Sequence, residues 1–148
     1  MSLKERIQDD MKAALRAGEK ARLGVVRMAL AAIQQREIDE RKTLDEPEET
    51  AVIEKLIKQR RESVIQYAQA GRAELAAKEN AEIVVLQEYL PEQLTEKEID
   101  AAIDAAIDGT GANSMRDMGK VMAEVKKKAQ GRADMSVVSA RVKARLAS

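Results

Sequence analysis

Few residues interrupt this chain. Two prolines and seven glycines are spread over 148 residues. Between them, apolar residues recur at three- and four-residue spacing, the period that gives a helix one buried face. The pattern predicts an all-α protein: a four-helix N-terminal unit followed by a small three-helix C-terminal unit.

Local signals place the helices. Ser2 followed by Glu5 is a capping box opening a helix striped by Leu3, Ile7, Met11 and Leu15, which Gly18 can end. A second helix, from about Glu19 to Arg41, carries Leu23, Val26, Leu30 and Ile33. Its segment Met28–Ile33 is apolar nearly all round, as in a helix buried on more than one side. Gly24 inside it costs about 1 kcal/mol relative to Ala unless close packing recovers the loss. Asp45 with Glu48 starts a third helix, with Pro47 in its first turn and Ile53, Leu56, Ile57, Val64 and Tyr67 inward. Gly71 breaks it. A fourth carries Leu75, Ile83, Leu86 and Leu90 and stops at Pro91.

Composition shifts at that proline, so the boundary is set between residues 1–91 and 92–148, with a hinge near Tyr89–Gln93. Thr95 with Glu98 caps a helix bearing Ile99, Ala102, Ile103, Ala106 and Ile107. Asp108–Asn113 reads as a loop. Ser114 with Asp117 begins a sixth helix striped by Met115, Met118, Met122 and Val125, where Gly119 suggests a close helix–helix contact. Gly131 ends it. Asp134 or Ser136 caps a seventh with Val138, Val142 and Leu146 inward.

The side-chain inventory excludes much chemistry. Cys, His, Phe and Trp are absent and Tyr occurs twice. Disulfides, Cys/His zinc sites and His-dependent nucleophile systems are therefore ruled out. A base-stacking platform is ruled out as well. No apolar run is long enough to span a membrane. The charged start MSLKERIQDD lacks the apolar segment of a secretory signal, which leads to the expectation of a cytoplasmic protein. The carboxylates Glu37, Asp39, Glu40, Glu46, Glu48 and Glu49 fit no metal-binding pattern, and Asp108–Gly111 lacks the lysine of a phosphate loop. No catalytic residue, metal ligand or cofactor is assigned.

Charge is balanced overall, 26 basic against 26 acidic residues, and divided locally. Residues 92–112 hold six acids against Lys97, a net of −5, whereas residues 113–148 hold nine bases against three acids, a net of +6. The basic stretch can be a solvated helix attracted to its acidic neighbour, or a docking surface for RNA phosphates or an acidic protein. The RNA-binding candidates are Lys120, Lys126, Lys127, Lys128, Arg132, Arg141, Lys143 and Arg145, with Arg60 and Arg61 on the third helix. If Asp134 caps the last helix, Arg132 stands beside helix N–H groups suited to phosphate.

Several words of the sequence go together. They are Lys20–Met28 (KARLGVVRM), Glu37-Ile-Asp39, Ala70-Gly-Arg72, Glu79–Ile83 (ENAEI), Tyr89–Leu94 (YLPEQL), Gly119–Met122 (GKVM) and Gly131–Asp134 (GRAD). Together they resemble the YqeY-like family over essentially the whole chain. Where the family pattern has Gly after Arg-Ala-Asp, this chain has Met135. The resemblance implies a small, all-helical bacterial protein with a four-helix and a three-helix part. It also implies similarity to the tail region of the B subunit of the glutamyl/aspartyl-tRNA amidotransferase, an appended module implicated in tRNA contact. The expected function is a non-catalytic, monomeric helical module associated with tRNA or RNA. Two alternatives stand beside it: a component of a carbon–nitrogen ligase with glutamine as amido donor, and a protein–protein interaction module.

Overall fold

A computed structural model describes residues 2–147. Among them the chain forms seven α-helices and no strand: α1 (Leu3–Ala17), α2 (Lys20–Glu40), α3 (Glu46–Gln69), α4 (Ala73–Gln87), α5 (Glu96–Thr110), α6 (Met118–Ala129) and α7 (Met135–Ala147). A 3₁₀ turn, Met115–Asp117, precedes α6. The chain divides at Leu90–Pro91 into two compact units, the first holding α1–α4 and the second α5–α7.

In the first unit the caps are those the sequence indicates. Ser2, just before α1, and Asp45, just before α3, each accept the N–H three residues on, and Glu5 and Glu48 reach back to the cap amide. Gly18 closes α1 at φ 71°. Arg41 takes the same left-handed position after α2, at φ 54°, a conformation costly for a residue with a Cβ. The core gathers Ile7, Val26, Ala29, Ile33, Ile53, Ile57 and Leu86 with Leu44 and Tyr89. Val25 and Ala29 beside the Leu23–Ile33 stripe are buried too, so α2 is covered over a wide arc, as its apolar segment indicates.

Three expectations are corrected in this unit. Leu15 is exposed and Ala14 is buried in its place, one residue around the helix. Gly24 is exposed, and a Cβ there would meet nothing within 4 Å, so no close packing offsets its cost. α4 ends at Gln87, before Pro91 can act.

The second unit packs Leu94, Ile99, Ile103, Ala106, Val121, Val125, Ala129, Val138, Val142 and Leu146 together. Thr95 and Glu98 form the expected capping box. The expected loop at Asp108 is instead helix as far as Thr110, whose hydroxyl donates to the Ala106 carbonyl at 2.7 Å, and Gly111 makes the left-handed exit. Ser114 makes no side-chain cap. Asp117 accepts from the Asn113 N–H at 3.1 Å and the chain makes a 3₁₀ turn before α6. The methionine stripe is also displaced. Val121, Val125 and Ala129 are the buried line, Met118 and Met122 flank it, and Met115 is exposed. Gly119 is exposed with nothing within 4 Å of a would-be Cβ, so the expected close helix contact is absent.

Candidate nucleic-acid interface

The basic candidates divide by what surrounds them. Val121, Val125 and Ala129 set the inward direction of α6, and successive residues turn about 100°. Lys126, Lys127 and Lys128 therefore fan around the last turn and do not form one patch. All three are exposed, as is Lys120. Their charges suit the carbonyl end of the helix. Glu124, the only acid on α6, bonds Lys127 at 2.9 Å.

The arginines of α7 face α5. Arg141 reaches Asp100 at 2.9 Å and Glu96 at 3.3 Å, and Arg145 pairs with Asp104. The three acids recur every four residues along one flank of α5, so the attraction between the acidic and basic stretches is realised here. Lys143, between the two arginines in sequence, lies on another side of α7 and is exposed.

Arg132 serves the chain itself. Its Nε donates to the Glu92 carbonyl at 2.9 Å, and its own carbonyl accepts from the Leu94 N–H at 2.7 Å. Gln93 Nε2 donates to the Gly131 carbonyl at 3.0 Å. The turn after α6 thus clasps residues 92–94. Asp134 caps α7, its Oδ1 accepting from the Ser136 N–H at 2.9 Å. A carboxylate already occupies the helix end that was expected to favour phosphate. Met135 is the first residue of α7 and, among the described non-glycine residues, only Arg41 has positive φ. The missing family glycine therefore causes no strain. The Glu98 carboxyl is held below its ordinary value by the Thr95 cap, with the charges of Arg132 and Lys128 adding.

Arg60 is withdrawn from the candidate set. It is 9% exposed, Nε reaches Glu82 at 3.2 Å, and Nη1 donates to the Leu56 carbonyl at 3.0 Å. An arginine held between helices has no group to offer phosphate. Arg61 is half-buried and interacts within the chain.

The carboxylates around the α2–α3 connection are also occupied. Glu37 takes Lys4 Nζ at 2.7 Å and the Leu44 N–H at 3.0 Å, which holds its pKa low. Glu48 is held low mainly by Lys42, at 2.7 Å. Glu49, buried, accepts the Lys4 N–H at 2.8 Å, and burial pushes its pKa up. Among the described residues no group of three or more acids could hold a metal ion. An open groove of about 530 Å³ lies over Met11 and Leu30, rimmed by Glu5, Asp9 and Lys12. No buried side-chain polar atom among the described residues lacks a partner.

The structure therefore brings together Lys120, Lys126, Lys127 and Lys128 on one helix and Lys143 on the next, and assigns Arg60, Arg132, Arg141 and Arg145 to internal bonds. Local spacing does not disclose the cross-element partners Glu82, Glu92 and Asp100, because each lies at least 22 residues away in the chain.

Fold and charge define a class: a small two-unit all-α protein whose last helix pair carries exposed cations. The family model described as "Yqey-like protein" matches residues 4–146, and the chain belongs to that family. It is similar to two proteins named "Altered inheritance of mitochondria protein 41, mitochondrial". The one from Eremothecium gossypii is 35% identical over 85 residues, covering 57% of this chain and 46% of the relative. The one from Kluyveromyces lactis is 36% identical over 84 residues, covering 56% and 45%. The matched region thus spans less than half the length of these relatives. Their names overturn the expectation of a cytoplasmic protein: the relatives are mitochondrial, and charge at the N-terminus speaks only against a secretory apolar segment. No helix among the described residues is long and apolar enough to cross a membrane.

Proposed function

We propose that this chain is a non-catalytic helical module associated with tRNA or RNA, related to the tails of tRNA-dependent amidotransferases. The observation that carries the reading is the division of cations in the second unit. The arginines of α7 are tied to the acids of α5, while Lys120, Lys126, Lys127, Lys128 and Lys143 stand exposed with Glu124 as the one acid on α6. Membership of the YqeY-like family supports it, through the resemblance of that family to the amidotransferase tail.

Binding of this kind releases counterions and weakens steeply with salt. The test is fluorescence anisotropy of a labelled total tRNA pool across a salt series. Replacing Lys120, Lys126, Lys127 and Lys128 by Gln is expected to weaken binding more than tenfold and to flatten the salt dependence. Native-like affinity and slope in that variant would overturn the reading.

A further inference from the structure

On α6 and α7 the sides remote from α5 share one pattern. On α6, Gly119, Ala123, Lys126 and Gln130 follow one another at steps of four, three and four residues. On α7, Ser136, Ala140, Lys143 and Ala147 follow at the same steps. All eight are exposed, and none is acidic. At about 100° per residue, Lys143 lies roughly 200° around α7 from Arg141, the residue that pairs with α5. Lys126 lies as far around α6 from Lys128, whose charge is felt by Glu98 on α5. The flanks next to this side are mixed in sign: on α6 Glu124 stands beside Lys120 and Lys127, and on α7 the acids of α5 stand beside Arg141 and Arg145.

We propose that this acid-free side of the α6–α7 hairpin receives the sugar–phosphate backbone of RNA, without reading its bases; the proposal rests on the RNA reading above. Three observations support it. The side carries cations and no carboxylate to repel phosphate. Apart from Gln130, the positions between the lysines are Gly, Ala and Ser, so the helix surfaces are low and a backbone can approach them closely. Neither tyrosine lies in residues 91–148, so no ring is available there to stack a base. Contacts of this kind fix position and affinity and carry no sequence information.

The test adds one negative charge at a time. Ala123→Glu and Ala140→Glu place a carboxylate on the proposed side. Ala101→Glu and Ala105→Glu, both on α5, are controls at exposed helical positions. All four change net charge equally and keep a good helix former, and circular dichroism verifies the fold. With labelled total tRNA at fixed low salt, the first pair is expected to weaken binding at least tenfold and the controls less than threefold. A plain RNA duplex of unrelated sequence is expected to bind within threefold of tRNA. Equal losses in all four variants, with native binding intact, would overturn this surface and leave the RNA reading standing. A tenfold preference between the two RNAs would overturn backbone-only recognition. If the native chain binds neither RNA at low salt, the RNA reading itself fails.

Discussion

The two units dispose of their charges in different ways. In the first, ionic and polar pairs tie helix to helix around the core. Arg60 joins α3 to Glu82 of α4, Lys4 joins α1 to Glu37 of α2, and Tyr89 Oη donates to Asp10 at 2.6 Å while its ring lies under Arg6. The second unit concentrates its interhelix pairs on the flank where α5 meets α7 and leaves the α6 lysines in solvent. The cores differ to match. Five isoleucines and four leucines fill the first, whereas the second relies on four valines, two alanines, two isoleucines and two leucines. A unit whose helices are tied together by such pairs around a larger core is suited to be a scaffold. A unit with a lean core and solvent-exposed lysines on α6 is suited to present a surface.

Core truncation gives the largest effect that bears on this contrast. Ile53 and Ile103 are each fully buried, one per core. Ile→Ala at either site is expected to cost about 2–5 kcal/mol. In hydrogen exchange on the full chain, Ile103→Ala is expected to lower protection across α5–α7, and Ile53→Ala across α1–α4. Equal loss in both regions from either variant would show that the cores do not act separately.

Exposed helix glycines give a smaller effect of opposite sign, one in each unit. Gly24 and Gly119 have room for a Cβ and lie inside helices. Gly→Ala at each is expected to stabilise its unit by about 0.5–1 kcal/mol in urea unfolding. A loss of stability at Gly119 would mean that α6 does approach a neighbour there.

These glycines also show what the sequence can and cannot disclose. The capping boxes at Ser2, Asp45 and Thr95 were legible because both members lie within one turn. Gly119 was misread because a helical glycine looks the same whether it faces a neighbour or water. Leu15 and the α6 methionines were misplaced by a small rotation: adjacent stripes on a helix both satisfy the apolar period, and the packed neighbours choose between them. Among the site candidates, exposed lysines were legible from charge alone. The internal duties of Arg60, Arg132 and Arg141 were not, because their partners meet them only in the folded chain. The Arg141 pair was foreshadowed only as an attraction between an acidic and a basic stretch.

The finest test of the scaffold concerns the two carboxylates that hold Lys4. Glu37, bonded to Lys4 Nζ and the Leu44 N–H, has its pKa lowered on folding. Its contribution is complete above the ordinary carboxylate range and is lost as pH falls through the folded value. Glu49 runs the other way: burial raises its pKa, so the folded state binds the extra proton. Its ionisation therefore removes stability as pH rises from the ordinary carboxylate range through the raised value. Glu37→Gln is expected to lower stability at pH 7 and to make the first unit less sensitive to acid. Glu49→Gln retains a carbonyl oxygen for the Lys4 N–H and removes the buried charge. It is expected to raise stability at pH 7 and to change little at pH 4. Urea unfolding of both variants at the two pH values reads the four outcomes. If Glu49→Gln weakens the protein at pH 7 as much as Glu37→Gln does, the buried carboxylate is an attractive partner for Lys4, and the first unit tolerates buried charge better than its core implies.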